Sequence, residues 1–505
     1  MRTFLQQKKL RPLLVILLFW VVMAASRTSL LHLFPAGGDA GDTAVSIVAV
    51  LLIAASFLFA FFVGDNLPRN FLLIALLIGL FYVVVTRFAY CTDEEYHFQR
   101  AFSITNGDFM PVWLDGQTGV YVPKGYYFFA DHEHWSLANY YQNADLVAPV
   151  RVLEFYARAR SASYLPVCYL PSALGLGLGR LLGLPVALML VLGRATNFLV
   201  YVFVCWLALR RVKKFQTVLF LTALIPTCLE LAGTLTNDST LIAFSLLFLS
   251  ICLHYAFDET SGRIETKDIV LLAVSAFFIL SAKYMGYFAV ILLVLFIPKK
   301  SAANKRTALL AVGGAFLLIA ALQVWAVAAY AGSLDYTYQT GANVQGQLQY
   351  ILQHPASFLK VLVLDFMSNL VNRLHFFIDN GNMSLNFLAE PLALLPIFGA
   401  LLSKDKPELS LRQKTGWSAL WLIAAIATVL ISTAALYISF TPVGETFVKG
   451  MQNRYVLPVI ALAYLPMALI PVDNKIKNWE RTISLLAGLA LVNILAGKLV
   501  ELLTA

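Results

Sequence analysis

Apolar runs of roughly 20 residues recur from one end of the chain to the other, and each is long enough to cross about 30 Å of hydrocarbon at about 1.5 Å per residue. In lipid no water satisfies the peptide groups, so segments of this kind fold as helices that bond their own backbone. Composition agrees. Of 505 residues 60% are hydrophobic and 13% charged, and the mean hydropathy of +0.76 lies outside the range of a soluble domain. The net charge of +9 does not indicate nucleic acid, because Lys and Arg punctuate the apolar runs instead of gathering into one stripe or tail. Cys91, Cys168, Cys205, Cys228 and Cys252 contain no CxxC pair, so neither a zinc site nor a disulfide framework follows.

The fold class expected is an all-α integral membrane protein with about thirteen transmembrane helices and a large extracytoplasmic first loop. The spans are Leu13 to Leu33, Thr43 to Val63, Phe71 to Tyr90, Pro185 to Leu209, Thr217 to Gly233, Leu241 to Phe257, Ile269 to Ser281, Tyr284 to Pro298, Ala308 to Tyr330, Phe387 to Ser403, Trp417 to Phe440, Tyr455 to Val472 and Ile483 to Leu502. Arg2, Lys8, Lys9 and Arg11 precede the first run without a small-residue cleavage site in the usual window, which predicts an uncleaved anchor. Basic clusters at 210–214, 299–306, 404–414 and 475–481 fall on one side, which the positive-inside rule makes cytoplasmic together with the N-terminus. This parity requires that Tyr164 to Leu182 and Phe358 to Phe377 lie at the interface instead of crossing. The chain then divides into 1–90 with three spans, 91–184 as an extracytoplasmic loop with an interfacial helix, 185–330 as a helical core, 331–386 as a second extracytoplasmic region, and 387–505 with the last spans. The Gly175, Gly177 and Gly179 spacing lacks a preceding strand, so it reads as close helix packing and not as a phosphate loop.

Chemistry is expected on the outer face. Asp93-Glu94-Glu95 with His97 stands where the third span emerges, and charge at a membrane edge is costly enough to mark a functional candidate. Asp93, Glu94 and His97 fall within one helical turn, whereas Glu95 is expected to point away. Such a group can serve as general base or hold a divalent cation through hard oxygens; it can also simply cap a helix. Asp238 follows Thr236-Asn237 in a turn, which is also ordinary cap chemistry. Lys283 sits between apolar runs and either snorkels or meets an anion. Gln452-Asn453-Arg454-Tyr455 opens a span, where Arg suits phosphate oxygens and an Arg-Tyr pair also suits an interfacial anchor. Asp131-His132-Glu133-His134 has no third site and reads as a polar loop surface, not a zinc motif.

The order of these features, from Thr92 to Phe102 through Asn106-Gly107-Asp108, Thr236-Asn237-Asp238 and Lys283 to Gln452-Asn453-Arg454-Tyr455 with Pro458, resembles the bacterial DUF2142 membrane proteins and, more distantly, the GT-C glycosyltransferases. The DE..H pattern matches Asp93, Glu94 and His97. The Q-G-R-Y pattern matches Gln452, Arg454 and Tyr455, with Asn453 in place of glycine. The likeness spans about Ala89 to Ile470. It implies a GT-C-like fold in which a polyprenyl-phosphate sugar donor glycosylates a glycan or lipid acceptor outside the cytoplasm. Asp93 would be the base or metal-linked acid, supported by Glu94 and His97. Lys283 and Arg454 would neutralise the lipid phosphate, and Asp238 would be the second acidic position. Mg2+ or Mn2+ is the cation that Asp93 and Asp238 would share if a metal takes part; no nucleic-acid partner is expected, and membrane lipids are. A transporter or flippase of lipid-linked glycans needs many of the same groups, but should show inverted repeats and midplane charge, which the sequence does not display. A non-catalytic subunit of envelope polysaccharide assembly is the third reading.

Overall fold

The computed structural model describes residues 2–25, 40–86, 88, 93–110, 112–115, 117–124, 152–157, 164–259, 261–283, 286–298, 304–330, 341–370 and 394–504. The chain is mostly helical. Among the described residues seven helices are long and apolar enough to cross a membrane: Val45–Phe62, Leu67–Val85, Val186–Arg211, Asp238–Phe257, Lys305–Ala326, Leu411–Ser439 and Trp479–Leu499. Seven of the thirteen expected spans correspond to these helices, and the count of thirteen is not reproduced; where the other expected spans fall on described residues, several are shorter or broken. Thr217 to Gly233 is two helices, Gln216–Ala223 and Pro226–Ala232, because Pro226 has no N–H to continue the ladder and starts a new first turn. Tyr455 to Val472 begins as a 3-10 turn, Asn453–Val459, and becomes α-helical only over Ile460–Ala468. Tyr284 to Pro298 contains one α-turn, Phe288–Ile291, and a 3-10 stretch, Leu292–Phe296.

Asp238–Phe257 is the central helix, buried along nearly its whole length. It packs against Val186–Arg211 on one side and Thr266–Ala282 on the other. Leu170–Leu181 has 12 residues, about 18 Å of helix, too short to cross, and it lies along Val186–Arg211. Its glycines make that possible. A Cβ on Gly175 would run into the Leu192 carbonyl, and one on Gly179 would stand 2.7 Å from the Met189 side chain.

The expectation of an all-α chain needs correction in the first loop. Val112–Leu114 (β1), Gln117–Pro123 (β2) and Leu153–Ala157 (β3) form an antiparallel sheet in the order β1-β2-β3, with Gly119 opposite Val112 and Ala157. These segments are rich in β-branched and aromatic residues, which fit a pleated, half-buried surface. Val120 and Val122 join Phe98 and Phe102 of the helix Glu94–Thr105 in a second, smaller core. The 131–134 acidic and histidine run lies outside the described residues, as do 371–393 with the first seven residues of the expected span from Phe387; the rest of that span contains the short helix Leu395–Leu401.

Candidate functional site

Four segments that are distant in sequence meet at one end of the bundle. Asp93 holds the N-cap position of Glu94–Thr105 with φ 68 and ψ 13, a left-handed conformation that Asp and Asn tolerate better than other L-residues. Asp238 is the first residue of the central helix, its N–H bonded to Thr236 Oγ1 at 3.1 Å. Lys283 ends the neighbouring antiparallel helix Thr266–Ala282. The acid thus stands at a helix N-terminus and the cation at a C-terminus, where each suits the helix dipole. Arg454 lies in the 3-10 turn that enters the last part of the bundle.

These side chains form a ladder. Arg454 Nη2 is 2.5 Å from Asp93 Oδ2, and its Nε is 3.2 Å from Asp238 Oδ2; Asp238 Oδ1 is in turn 3.1 Å from Lys283 Nζ. Lys283 Nζ stands 4.5 Å above the Tyr455 ring, a cation–π contact. Asn237 Nδ2 donates to the Ala282 carbonyl at 2.8 Å, which ties the two helix ends together, and Tyr287 Oη donates to the Tyr455 carbonyl at 2.7 Å. Ser239 donates to Asn197 Oδ1, while Asn197 Nδ2 donates to the carbonyls of Ala232 and Thr234. The Thr236-Asn237-Asp238 turn is thereby held from below by Val186–Arg211.

The ladder is not evenly buried. Arg454 and Asp238 are almost wholly enclosed, but the Asp93 side chain is 39% exposed. Burial opposes ionisation of Asp93, yet the charges of Arg454, His97 and Lys283 outweigh it and hold the carboxyl below the usual range. Burial pushes the buried His97 down to about 4 against the pull of Asp93, so its ring is neutral at pH 7. His97 Nδ1 lies 2.8 Å from Tyr169 Oη, and its Nε2 has no hydrogen-bond partner, as is also true of Asn237 Oδ1 and Gln452 Oε1. Unsatisfied polar atoms are uncommon in a buried setting and call for an explanation such as a bound ligand.

Asp93, Asp238, Lys283, Arg454 and Tyr455 are thus brought together, with His97 beside them in their electrostatic field. Glu94 is not part of the ladder. It is 1% exposed, both carboxylate oxygens are bound by Arg194 at 2.7 Å, and Oε1 also accepts the Leu235 N–H at 3.0 Å. Arg194 further donates to the carbonyls of Val83 and Thr86. Glu95, expected to point away, has a buried Oε2. Burial, aided by the Asp93 and Glu94 charges and only partly offset by its backbone hydrogen bond and Arg454, pushes it up to about 7. Arg194 was overlooked by sequence reasoning, although a lone arginine inside an apolar run is a signal by itself.

The acids do not fit a shared divalent cation in this arrangement. The place between Asp93 and Asp238 is taken by the Arg454 guanidinium, and no group of three or more His, Cys, Asp or Glu among the described residues is arranged to hold a metal.

A largely helical membrane bundle with a ladder of alternating carboxylates and cations at one end defines the class: a polytopic membrane protein with a charged site at the end of its central helix. The chain belongs to the family of predicted membrane proteins DUF2142, whose profile matches residues 76–463. That stretch contains the whole ladder. No curated protein and no solved structure is significantly similar to the chain.

Proposed function

We propose that the protein is a membrane glycosyltransferase of the GT-C type, which takes a sugar from a polyprenyl-phosphate donor and passes it to a cell-envelope glycan, lipid or polymer on the non-cytoplasmic side. The observation that carries this reading is the ladder, in which one half-exposed carboxylate shares a guanidinium with one enclosed carboxylate. An anionic phosphate is the natural competitor of Asp93 for Arg454, because a guanidinium binds either in the same forked fashion. Asp238, enclosed and also paired with Lys283, stays in place.

Donor binding then does two things. Arg454 and Lys283 take up the phosphate, and Asp93 is released as a free carboxylate beside the acceptor. The acceptor hydroxyl oxygen attacks the anomeric carbon, the bond from that carbon to the phosphate oxygen breaks, and its electron pair leaves on the phosphate facing Arg454 and Lys283. The hydroxyl proton passes to Asp93. A single in-line displacement inverts the anomeric configuration. Fixed cations at the leaving oxygen and a carboxylate at the acceptor are the contributions expected of such a site. His97 Nε2, Asn237 Oδ1 and Gln452 Oε1 remain for hydroxyls of the sugar.

The test uses purified protein in proteoliposomes with radiolabelled polyprenyl-phosphate sugars. The wild-type chain releases the sugar from its lipid, and Asp93→Asn and Arg454→Ala each lower that release by about a hundredfold or more. Unchanged release in both variants overturns the assignment. A flippase moves the lipid across the bilayer with the sugar still attached.

A further inference from the structure

Val344–Gln353 and Pro355–Ser368 form a helical hairpin that packs against Leu411–Ser439, with the Phe358 and Tyr437 rings 5.4 Å apart. The helices are about 15 and 21 Å long, too short to cross a bilayer. The first presents three faces. Gln347 is buried, and its Oε1 accepts the Gly444 N–H at 3.0 Å. Val344, Leu348 and Leu352 are exposed, Leu352 to 82%, at a spacing of four that makes one stripe. Gln345, Gln349 and Gln353 are exposed in a second stripe one residue further on. An apolar and a polar stripe side by side, both facing away from the protein, fit a helix lying in the plane where hydrocarbon meets water. The second helix exposes Leu359, Val363 and Met367 at the same spacing and buries Val361 and Leu362. This apolar surface joins that of Leu411–Ser439, which exposes Leu422, Ile423 and Ile426.

The hairpin is fastened to the strap 441–451. Ala342 bridges Pro442, Gly346 backs onto Val443, and Tyr437 Oη donates to the Glu445 carbonyl at 2.9 Å. Gly450, at φ 81, then turns the strap into Gln452 and Arg454. Val443 and Phe447 on the strap are exposed apolar side chains, and Lys360 and Lys449 are exposed cations on the hairpin and strap.

We propose that this hairpin lies in the leaflet on the site's side of the membrane, and that Val443 and Phe447 carry the hydrocarbon chain of a lipid phosphate from it to Arg454. Lys360 and Lys449, both exposed, reach headgroup phosphates, as lysines at an interface do. The location in the leaflet stands alone, whereas the chain path rests on the phosphate reading given above.

Both halves are tested in nanodiscs of anionic phospholipid. Nitroxide labels are placed singly at Leu348→Cys, Leu352→Cys, Val363→Cys and Gln349→Cys on a Cys91→Ser background, since Cys168, Cys205, Cys228 and Cys252 are buried. The first three labels are expected to be relaxed by oxygen and shielded from a water-soluble nickel chelate, with the reverse at Gln349→Cys. Labels at Leu348→Cys and Leu352→Cys that meet the chelate as freely as Gln349→Cys overturn the location. For the path, Phe447→Ser is expected to weaken binding of undecaprenyl phosphate by about tenfold and leave inorganic phosphate binding and thermal unfolding unchanged. An equal effect on both ligands, or on neither, overturns the path. If the wild-type chain binds neither, the phosphate reading fails and the path with it, while the depth result still stands.

Discussion

Asp93 and Glu94 are neighbours in one motif, and each faces an arginine, yet the two regions they define are built for opposite purposes. The Glu94–Arg194 joint is closed on every side: two parallel contacts at 2.7 Å, a backbone N–H on the acid, two carbonyls on the guanidinium, and both side chains at 4% exposure or less. The Asp93–Arg454 contact is single, half-open to solvent on the acid side, and set on a left-handed residue. A joint with no free valence can only hold things together. It fixes the start of Glu94–Thr105 against Val186–Arg211 and the turn at Leu235, and so places Asp93. The open contact has room for an exchange of partners.

Breaking the closed joint gives the largest effect. Glu94→Gln leaves the Arg194 charge buried and half-paired, a defect of about 3–5 kcal/mol, and Arg194→Ala does the same to Glu94. Both variants should lose most of the folded protein in detergent, seen as a collapsed monodisperse peak and a large drop in thermal midpoint. Glu94→Leu combined with Arg194→Met should recover part of it, because an apolar pair removes the unpaired charge. If Glu94→Gln instead folds like the wild-type chain and loses only activity, the contrast between joint and ladder is wrong.

The open contact should behave the other way. Asn accepts the left-handed backbone as Asp does, so Asp93→Asn should unfold within about 1 kcal/mol of the wild-type chain. An incoming phosphate no longer has to displace a carboxylate from Arg454, so binding of polyprenyl phosphate should tighten by about tenfold, or about 1.4 kcal/mol, even as sugar transfer is lost. Calorimetric or spin-down binding measures this directly. Unchanged or weaker binding in Asp93→Asn would mean that phosphate and Asp93 do not compete, and the exchange step would have to be abandoned.

Much of this site is legible in the sequence because membrane segments make polar residues conspicuous. Asp93, His97, Asp238, Lys283, Arg454 and Tyr455 stand out against apolar surroundings, and charge topology alone places them at one end of the bundle. Their pairing is not legible, since Arg454 reaches Asp93 across 361 positions and nothing local states which acid it will choose. The joint was hidden for the same reason, Arg194 and Glu94 being 100 positions apart. Helix breaks at Pro226 and in Asn453–Val459 escaped a reading based on hydropathy, which registers apolar length but not continuity of the hydrogen-bond ladder. The small sheet escaped because its strands have only three to seven residues, too few for a period to declare itself.

The smallest effect concerns Glu95, which sits between the two regions in the motif and belongs fully to neither. Its burial lifts the carboxyl from an ordinary 4.5 to about 7. Between those values the folded chain keeps a proton that the unfolded chain has released, so this residue's contribution is complete below about pH 4.5 and is lost as pH rises toward about 7. Asp93 has the opposite sign: its carboxyl is held down, and its contribution is lost only as pH falls below the ordinary carboxylate range. The two windows do not overlap. His97, held near 4 by burial, works against Glu95 in the same window and gains stability as pH rises, so the effect is read as a difference: from about pH 4.5 to 7.5 the stability of the wild-type chain relative to Glu95→Gln should fall by about 1 kcal/mol, less than the full shift because the side chain is partly hydrated, with the acid-side loss common to both. A difference that stays constant over that range would mean that Glu95 holds its proton no better in the folded chain than in the unfolded one, as for a side chain that simply points away from the site.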